Sequence, residues 1–283
     1  MEDHVKKDLM WAILFFVAVF IIWLTFGGPS REPKEKGLFF GSPVDKISEE
    51  IKAPINQGGG SSGGYAGKDS VYLTAGIETK ENDPKNEFIS IQTSFSNKNS
   101  VDISGWSLEG KGGERIKIGK GALIPFLGQD NTQGDILLAP GEKAVISSGE
   151  SPIGISFKLN KCAGYFNQLQ TFIPPIYGRC PDPIKDEVLP ATLDNSCIDY
   201  INNNFKNCTE YITLPSSFTD ACRQYANDRL NYNACANRHK RDSDFYKPEW
   251  RIYLNKKYNL WNNEHDKIIL YDQNNSIIDS RSY

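Results

Sequence analysis

Histidine is scarce in this chain, and with it the side chain most often used for acid–base catalysis. Three histidines occur in 283 residues, and only His239 and His265 lie beyond the first ten positions. Neither has a neighbouring Ser or Cys in a nucleophile setting such as G-x-S-x-G. The sequence also lacks an H-E-x-x-H zinc motif, a P-loop and a dinucleotide fingerprint. We therefore predict a protein that is not an enzyme and has no catalytic residues, no cofactor and no metal site.

The chain has no excess of basic residues. Lys and Arg total 32 against 35 Asp and Glu, which gives a formal net charge of −3. Nucleic-acid binding, which is favoured by a marked basic excess, is not expected. Carboxylates are plentiful, and Asp182, Asp186 and Glu187 lie close together in the sequence, but such groups usually solvate a surface. Since a glycosidase needs only two positioned carboxylates, an envelope hydrolase or an accessory subunit of one stays open as the alternative function.

Charge is absent from residues 9–26, and these 18 residues are almost all apolar. At 1.5 Å per residue a helix of this length spans roughly 27 Å, close to the hydrocarbon thickness of a bilayer. A cleaved signal peptide has a shorter apolar region and a small-residue cleavage site, which this sequence does not show. We predict a single transmembrane helix over 9–26 behind a cytoplasmic N-terminus, 1–8. The alternatives are a cleaved signal and a buried soluble helix.

Residues 27–68 are polar and are interrupted by proline, and they include the run Gly-Gly-Gly-Ser-Ser-Gly-Gly at 58–64. This composition predicts a flexible stalk that holds the remainder, 69–283, away from the membrane.

All six cysteines lie in one later segment: Cys162, Cys180, Cys197, Cys208, Cys222 and Cys235. An even number in one segment favours disulfides formed in an oxidising compartment, and so places the bulk of the chain outside the cytoplasm. Free buried thiols and a zinc site are the alternatives, although no pair has C-x-x-C spacing. Among the 15 pairings that six cysteines allow, we favour Cys162–Cys180, Cys208–Cys222 and Cys197–Cys235.

From Ser70 onward, short β-branched and aromatic runs separated by turn residues predict an antiparallel β-sandwich. Between about 148 and 249 the period becomes helical. Asp194 and Thr219 are positioned to cap two helices, and a third is expected around 232–238. The narrow apolar faces of these helices predict an insert that depends on disulfides for stability.

Several of these strands also resemble the lamin-tail domain family in sequence. The similar segments, in order, are Glu-Phe-Ile-Ser-Ile at 87–91, Val-Asp-Ile-Ser-Gly-Trp-Ser-Leu at 101–108, Ala-Pro-Gly-Glu at 139–142 and a closing hairpin that ends in Asp279. The resemblance covers about 130 residues and implies an immunoglobulin-like sandwich, as in membrane-anchored bacterial surface proteins, without a known chemistry. The positions assigned to the family's core are Phe88, Ile89, Asp102, Gly105, Trp106, Pro140, Gly141, Trp250 and Asp279.

The chain departs from the family in two respects. Ser90 stands where the family has an acidic residue, and the segment 148–249 is far longer than the family requires. Of the physical roles in the motif, we expect Trp106 to be buried between the sheets, with Gly105 providing the bend.

Aromatic residues in and around the insert either pack it onto the sandwich or form a contact surface. The candidates for contact are Phe172, Tyr177, Tyr258 and Trp261. Exposed aromatics provide large contact areas at little entropic cost. The sequence thus favours a single-pass, extracytoplasmic binding or structural protein whose partner is a protein or a glycan.

Overall fold

The computed structural model describes residues 14–20, 70–74, 82–177, 179–185, 189–205, 207–264 and 266–283. The chain divides into two units, Met1–Gly63 and Gly64–Tyr283. In the first unit, residues 14–20 are helical and their side chains are exposed. Within the described ranges, no helix combines the length and apolar character needed to cross a membrane. The rest of the predicted span, 9–26, and the predicted stalk, 27–68, lie outside the described residues.

The second unit is mainly sheet, as predicted. Its strands are β1 (Val71–Leu73), β2 (Phe88–Thr93), β3 (Val101–Asp102), β4 (Ser107–Glu109), β5 (Arg115–Lys117), β6 (Leu137–Leu138), β7 (Lys143–Ser147), β8 (Phe157–Asn160), β9 (Tyr246–Tyr253), β10 (Lys267–Tyr271) and β11 (Ile277–Ser282). They form a five-stranded sheet β1-β2-β7-β9-β8, a four-stranded sheet β11-β10-β4-β5 and the pair β3-β6.

The two larger sheets share one apolar core. Ile89 and Ile91 reach it from β2, and Leu108 and Leu270 reach it from β4 and β10. Side chains alternate between the two faces of a strand, so these apolar positions point to the same side. The described residues of 70–160 and 246–283, here called the sheet body, share this core, while Phe157 of β8 and Tyr253 of β9 pack in a second core with residues that lie between these two strands.

One strand pair departs from the predicted antiparallel arrangement. β7 and β9 are parallel, with Ala144 opposite Trp250 and Ile146 opposite Ile252, whereas the other pairings between named strands are antiparallel. A parallel pair needs a long crossover connection. The long segment between β7 and β9 supplies that crossover, so the prediction of a purely antiparallel sandwich was wrong at this position.

The predicted insert, 148–249, also contains sheet. β8 (Phe157–Asn160) is an edge strand that pairs antiparallel with β9, and β9 begins at Tyr246. The two strands meet where Asn160 is opposite Tyr246. The helical insert is therefore residues 161–245, and both of its ends leave the sheet at one point.

The described part of the helical insert contains a 3-10 helix, Ala163–Gln168, and three α-helices: α1 (Asn195–Asn204), α2 (Asp220–Arg229) and α3 (Tyr232–His239). Asp194 accepts a hydrogen bond from the backbone N–H of Cys197, and Thr219 accepts one from that of Cys222. Both predicted N-caps are therefore confirmed. Asn231 caps α3 in the same way, through the N–H of Ala234. Each side chain satisfies a backbone donor that has no partner within the helix.

All six cysteines form disulfides, but the pairing predicted from the sequence was wrong. The bonds are Cys162–Cys235, Cys180–Cys208 and Cys197–Cys222. The first lies in a core formed where β8 and β9 meet the insert, and the third lies in a smaller core between α1 and α2. Sequence spacing does not show which helix faces meet, so it could not select among the possible pairings.

A buried carboxylate connects the start of β2 to two other parts of the sheet body. Glu87 has no exposed surface. It accepts hydrogen bonds from the backbone N–H of Leu260 at 2.8 Å and of Trp261 at 3.2 Å, and from the hydroxyl of Ser148. The Asn259 amide lies 3.5 Å away. Glu87 therefore fixes the loop before β10 against the end of β7.

Burial raises the pKa of Glu87 above its ordinary value of 4.5, although its hydrogen bonds act in the opposite direction. The folded protein thus binds this proton more readily than the unfolded chain. Its contribution to stability is fully present below pH 4.5 and is lost as the pH rises through the raised pKa. We expect the free energy of unfolding of the wild type, relative to Glu87→Gln, to fall as the pH rises above 4.5. Urea unfolding at a series of pH values measures this difference, and a difference that rises with pH would contradict it.

Candidate functional site

A groove of about 500 Å³ lies where the sheet body meets the helical insert. The junction groove is defined by its charged and aromatic lining: Lys143, Lys161, Tyr177, Arg179, Lys247 and Glu249. The strands β7 and β9 supply one wall, and the insert supplies the other through the residues that follow β8 and the loop around Tyr177. The cleft therefore exists only because the insert packs against this edge of the sheet.

Two of the four cations in the junction groove are neutralised by nearby carboxylates. Lys143 lies 2.9 Å from Glu249, and Lys161 lies 2.7 Å from both Asp242 and Asp244. Burial acts to lower the pKa of Lys161, but the two aspartates outweigh it and raise that pKa. Lys161 therefore stays charged and is already paired.

The other two cations, Arg179 and Lys247, are exposed. Neither makes an ion pair with another residue in the part of the chain that the structure describes. They come from different walls, Arg179 from the insert and Lys247 from β9. Their charges are therefore available to an anionic group that enters the groove.

Tyr177 is held on an anchored loop, although its own ring is 84% exposed. The buried guanidinium of Arg251 in β9 donates to the carbonyls of Pro174 and Pro175. The Asn167 amide donates to the carbonyl of Ile176 at 2.8 Å. Because three consecutive carbonyls before Tyr177 are held in this way, the backbone that carries the ring is held in place.

Arg251 is itself positioned by an ion pair that belongs to the groove wall. Its Nε lies 2.6 Å from Glu249, whose other oxygen contacts Lys143. Cys180 lies three residues after Tyr177 in the chain. Its disulfide to Cys208 ties the loop to the segment around residue 208. A buried charge network and a disulfide thus hold the two sides of this loop.

A second depression of about 410 Å³ adjoins the groove on the other side of Tyr177, which lines both. The polar depression is defined by its amide and hydroxyl side chains: Asn167, Gln170, Thr171, Asn207 and Thr209. No charged residue is among the described residues that line it. The two depressions form a surface whose character changes from neutral polar to cationic across one tyrosine.

The structure separates the four predicted contact aromatics into two groups. Phe172 is 2% exposed and Trp261 is 1% exposed, so both belong to cores and neither can form part of a surface patch. Tyr177 and Tyr258 are exposed, and Tyr177 lines both depressions. Tyr258 instead donates a hydrogen bond to Glu114, 2.7 Å away.

The residues of the 101–108 motif lie at a turn between β3 and β4. Asp102 accepts a hydrogen bond from the backbone N–H of Ser104 at 2.8 Å, and Gly105 has φ = +78°. Trp106 is 3% exposed and is part of the sheet core. A left-handed φ is readily adopted only by glycine, so Gly105 permits the turn that brings Trp106 inward.

The other motif residues also serve the sheet body. Ile89 and Trp250 are buried, Phe88 is half-buried, and Pro140 is exposed beside Gly141, which has φ = +78°. Asp279 in β11 accepts a hydrogen bond at 2.7 Å from the backbone N–H of Leu73 in β1, and so links the two sheets.

The acidic residues and histidines considered in the sequence are only partly described by the structure. Asp182 pairs with Lys185, and Asp186 and Glu187 lie outside the described residues, as does His265. His239 is buried beside Asp242, at 2.9 Å. Among the described residues, no cluster of His, Cys, Asp or Glu could hold a metal ion.

Sequence reasoning missed the cations of the junction groove. Lys143, Lys161, Arg179 and Lys247 are spread over more than 100 positions and form no motif. They become neighbours of one cleft only through the β7–β9 pairing and the docking of the insert. Comparison with known proteins finds no matching family, curated protein or solved structure.

Proposed function

We propose that this chain is a membrane-anchored, extracytoplasmic binding protein that presents the sheet body and its insert to a protein or glycan partner. The observation that carries the proposal is the anchored presentation of Tyr177 at the boundary of two open depressions. Aromatic rings held in fixed positions give contact area without a further cost in conformational entropy. Three disulfides support an oxidising compartment, and residues 9–26 support the anchor.

We further propose that the sheet body is an immunoglobulin-like sandwich of the lamin-tail type. The support is the role of its motif residues, since Trp106, Gly105 and Asp279 all act to close the two sheets around one core. The alternative, an envelope hydrolase, has weaker support. Glu249 is the one carboxylate among the described residues lining the groove, and it is engaged by Lys143 and Arg251. A glycosidase would need a second positioned carboxylate there.

The binding role is tested with the full-length chain in detergent, probed on an array of glycans and with envelope proteins. We expect Tyr177→Ala to lose at least tenfold in affinity for whichever partner the wild type retains. Tyr258→Ala is the matched control, because it removes another exposed tyrosine outside the groove. Equal binding by all three proteins, or no binding by the wild type, would contradict the proposal. The topology is tested in parallel by adding protease to spheroplasts, where a C-terminal tag should be digested.

A further inference from the structure

The junction groove concentrates positive charge on a protein that is acidic overall. The formal net charge of the chain is −3, yet four cations and one carboxylate are among the described residues that line this cleft. The carboxylate and two of the lysines are satisfied within the protein. Arg179 and Lys247 remain, and they reach the same cleft from opposite walls. This arrangement suits an anionic ligand, because a positive charge on each wall attracts the ligand and orients it.

The polar depression fits neutral ligand groups that donate and accept hydrogen bonds. Gln170 and Thr171 line it, and among the described residues their side chains have no hydrogen-bond partner. Amide and hydroxyl groups both donate and accept hydrogen bonds, as sugar hydroxyls do. A peptide of acidic residues could use the cations of the groove and could also bond to these amides through its backbone, but it has no ring to stack on Tyr177.

Tyr177 joins the two depressions, and its exposed ring can stack on the face of a sugar ring while its hydroxyl stays in water. We propose that the two depressions together bind an anionic polysaccharide, an extended sugar chain that carries carboxylate or phosphate groups. Its hydroxyls lie in the polar depression, one ring stacks on Tyr177, and a charged group lies between Arg179 and Lys247. This inference rests on the proposed binding function and names the class of ligand.

Four labelled polymers test this inference with the full-length chain in detergent, by fluorescence anisotropy at low salt. They are an oligogalacturonate with a carboxylate on each sugar, a phosphomannan, neutral dextran and poly-L-glutamate. We expect the oligogalacturonate or the phosphomannan to bind at least tenfold more tightly than dextran and poly-L-glutamate. The stronger of the two distinguishes a carboxylate from a phosphate source. Raising the salt concentration should weaken the binding, since exposed charges are screened.

Two variants of equal charge locate the site. Arg179→Gln with Lys247→Gln should lose at least tenfold in affinity for the anionic polysaccharide. Lys98→Gln with Lys117→Gln removes two exposed cations elsewhere in the sheet body and should change affinity less than twofold. All four positions are exposed, where substitutions rarely disturb folding. Tyr177→Ala should weaken polysaccharide binding at least tenfold.

The failures of the two proposals can be told apart. If poly-L-glutamate binds most tightly and the Arg179 and Lys247 variant loses it, the groove is a binding site but the ligand is an acidic peptide, and this inference is overturned. If both double variants bind the polysaccharide as the wild type does, the groove is not its site and the inference is likewise overturned. In either case the array measurement with Tyr177→Ala still decides the proposed binding function.

Discussion

Replacing Cys162 and Cys235 together by alanine is expected to lower the free energy of unfolding by about 4 kcal/mol, since their bond closes a long loop in the unfolded chain. The two cysteines are 73 positions apart and are both buried. In the chain-entropy model the stabilisation grows with the length of the closed loop, and this is the longest of the three. The bond also fastens Cys162, two residues after the end of β8, to Cys235 in α3, and so holds the insert to the sheet body.

Urea unfolding of the oxidised full-length chain in detergent, followed by tryptophan fluorescence, measures this effect. The matched control replaces Cys197 and Cys222, which are 25 positions apart, and should cost about 3.5 kcal/mol. A loss under about 1 kcal/mol for the Cys162 and Cys235 variant, or a larger loss for the control, would refute the expected order.

Replacing Glu87 by leucine is expected to lower the free energy of unfolding by about 3 kcal/mol, because several buried donors lose their acceptor. The backbone N–H groups of Leu260 and Trp261 and the hydroxyl of Ser148 all donate to this carboxylate. Each buried donor left unpaired costs about 1–3 kcal/mol, and removing a buried charge offsets part of the sum.

Glu87→Gln is the matched control for the leucine variant. The glutamine carbonyl, placed where Oε2 lies, can still accept from the N–H of Leu260 and the hydroxyl of Ser148, and only the longer bond from the N–H of Trp261 is lost. We therefore expect a smaller loss, of about 1.5 kcal/mol. Urea unfolding at pH 7 compares the two proteins. A leucine variant as stable as the glutamine variant would show that the hydrogen bonds of Glu87 do not hold the loop before β10.

The elements with a strong local signal could be predicted from the sequence. Lys143–Ser147 and Lys267–Tyr271 form strands, because they are β-branched runs that end at turn residues. Asn275 has φ = +62°, a value that asparagine tolerates in the tight hairpin between β10 and β11. The caps Asp194 and Thr219 were predictable for the same reason: each acts on a donor within three residues of itself.

The elements that depend on distant partners could not be predicted in this way. In β8 all four residues are buried, including Lys158, which pairs with Glu142 at 2.6 Å and lies over the ring of Trp250. A lysine in a strand normally indicates an exposed position, and here an ion pair formed across the sheet reverses that rule. The direction of β9 beside β7 is likewise set by the crossover, and a strand's own residues do not encode it.

The candidate site is the feature that could least be predicted from the sequence. Tyr177 was identified only as one of many aromatics, and its exposure follows from carbonyl contacts made by Arg251, 74 positions later. Arg179 and Lys247 carry no motif and become significant only when the insert docks. A surface assembled from two regions that are distant in sequence leaves no local pattern in either.

The paired ends of the insert have a consequence for how such proteins diversify. Asn160 lies opposite Tyr246, and the N–H of Lys161 donates to the carbonyl of Phe245 at 2.9 Å, so the strands on either side already form a closed stem. Segments whose ends meet at such a stem can be lengthened, shortened or exchanged by recombination while strand register is kept. Related proteins could therefore acquire new ligands through replacement of the helical insert alone, while the sheet body is inherited unchanged.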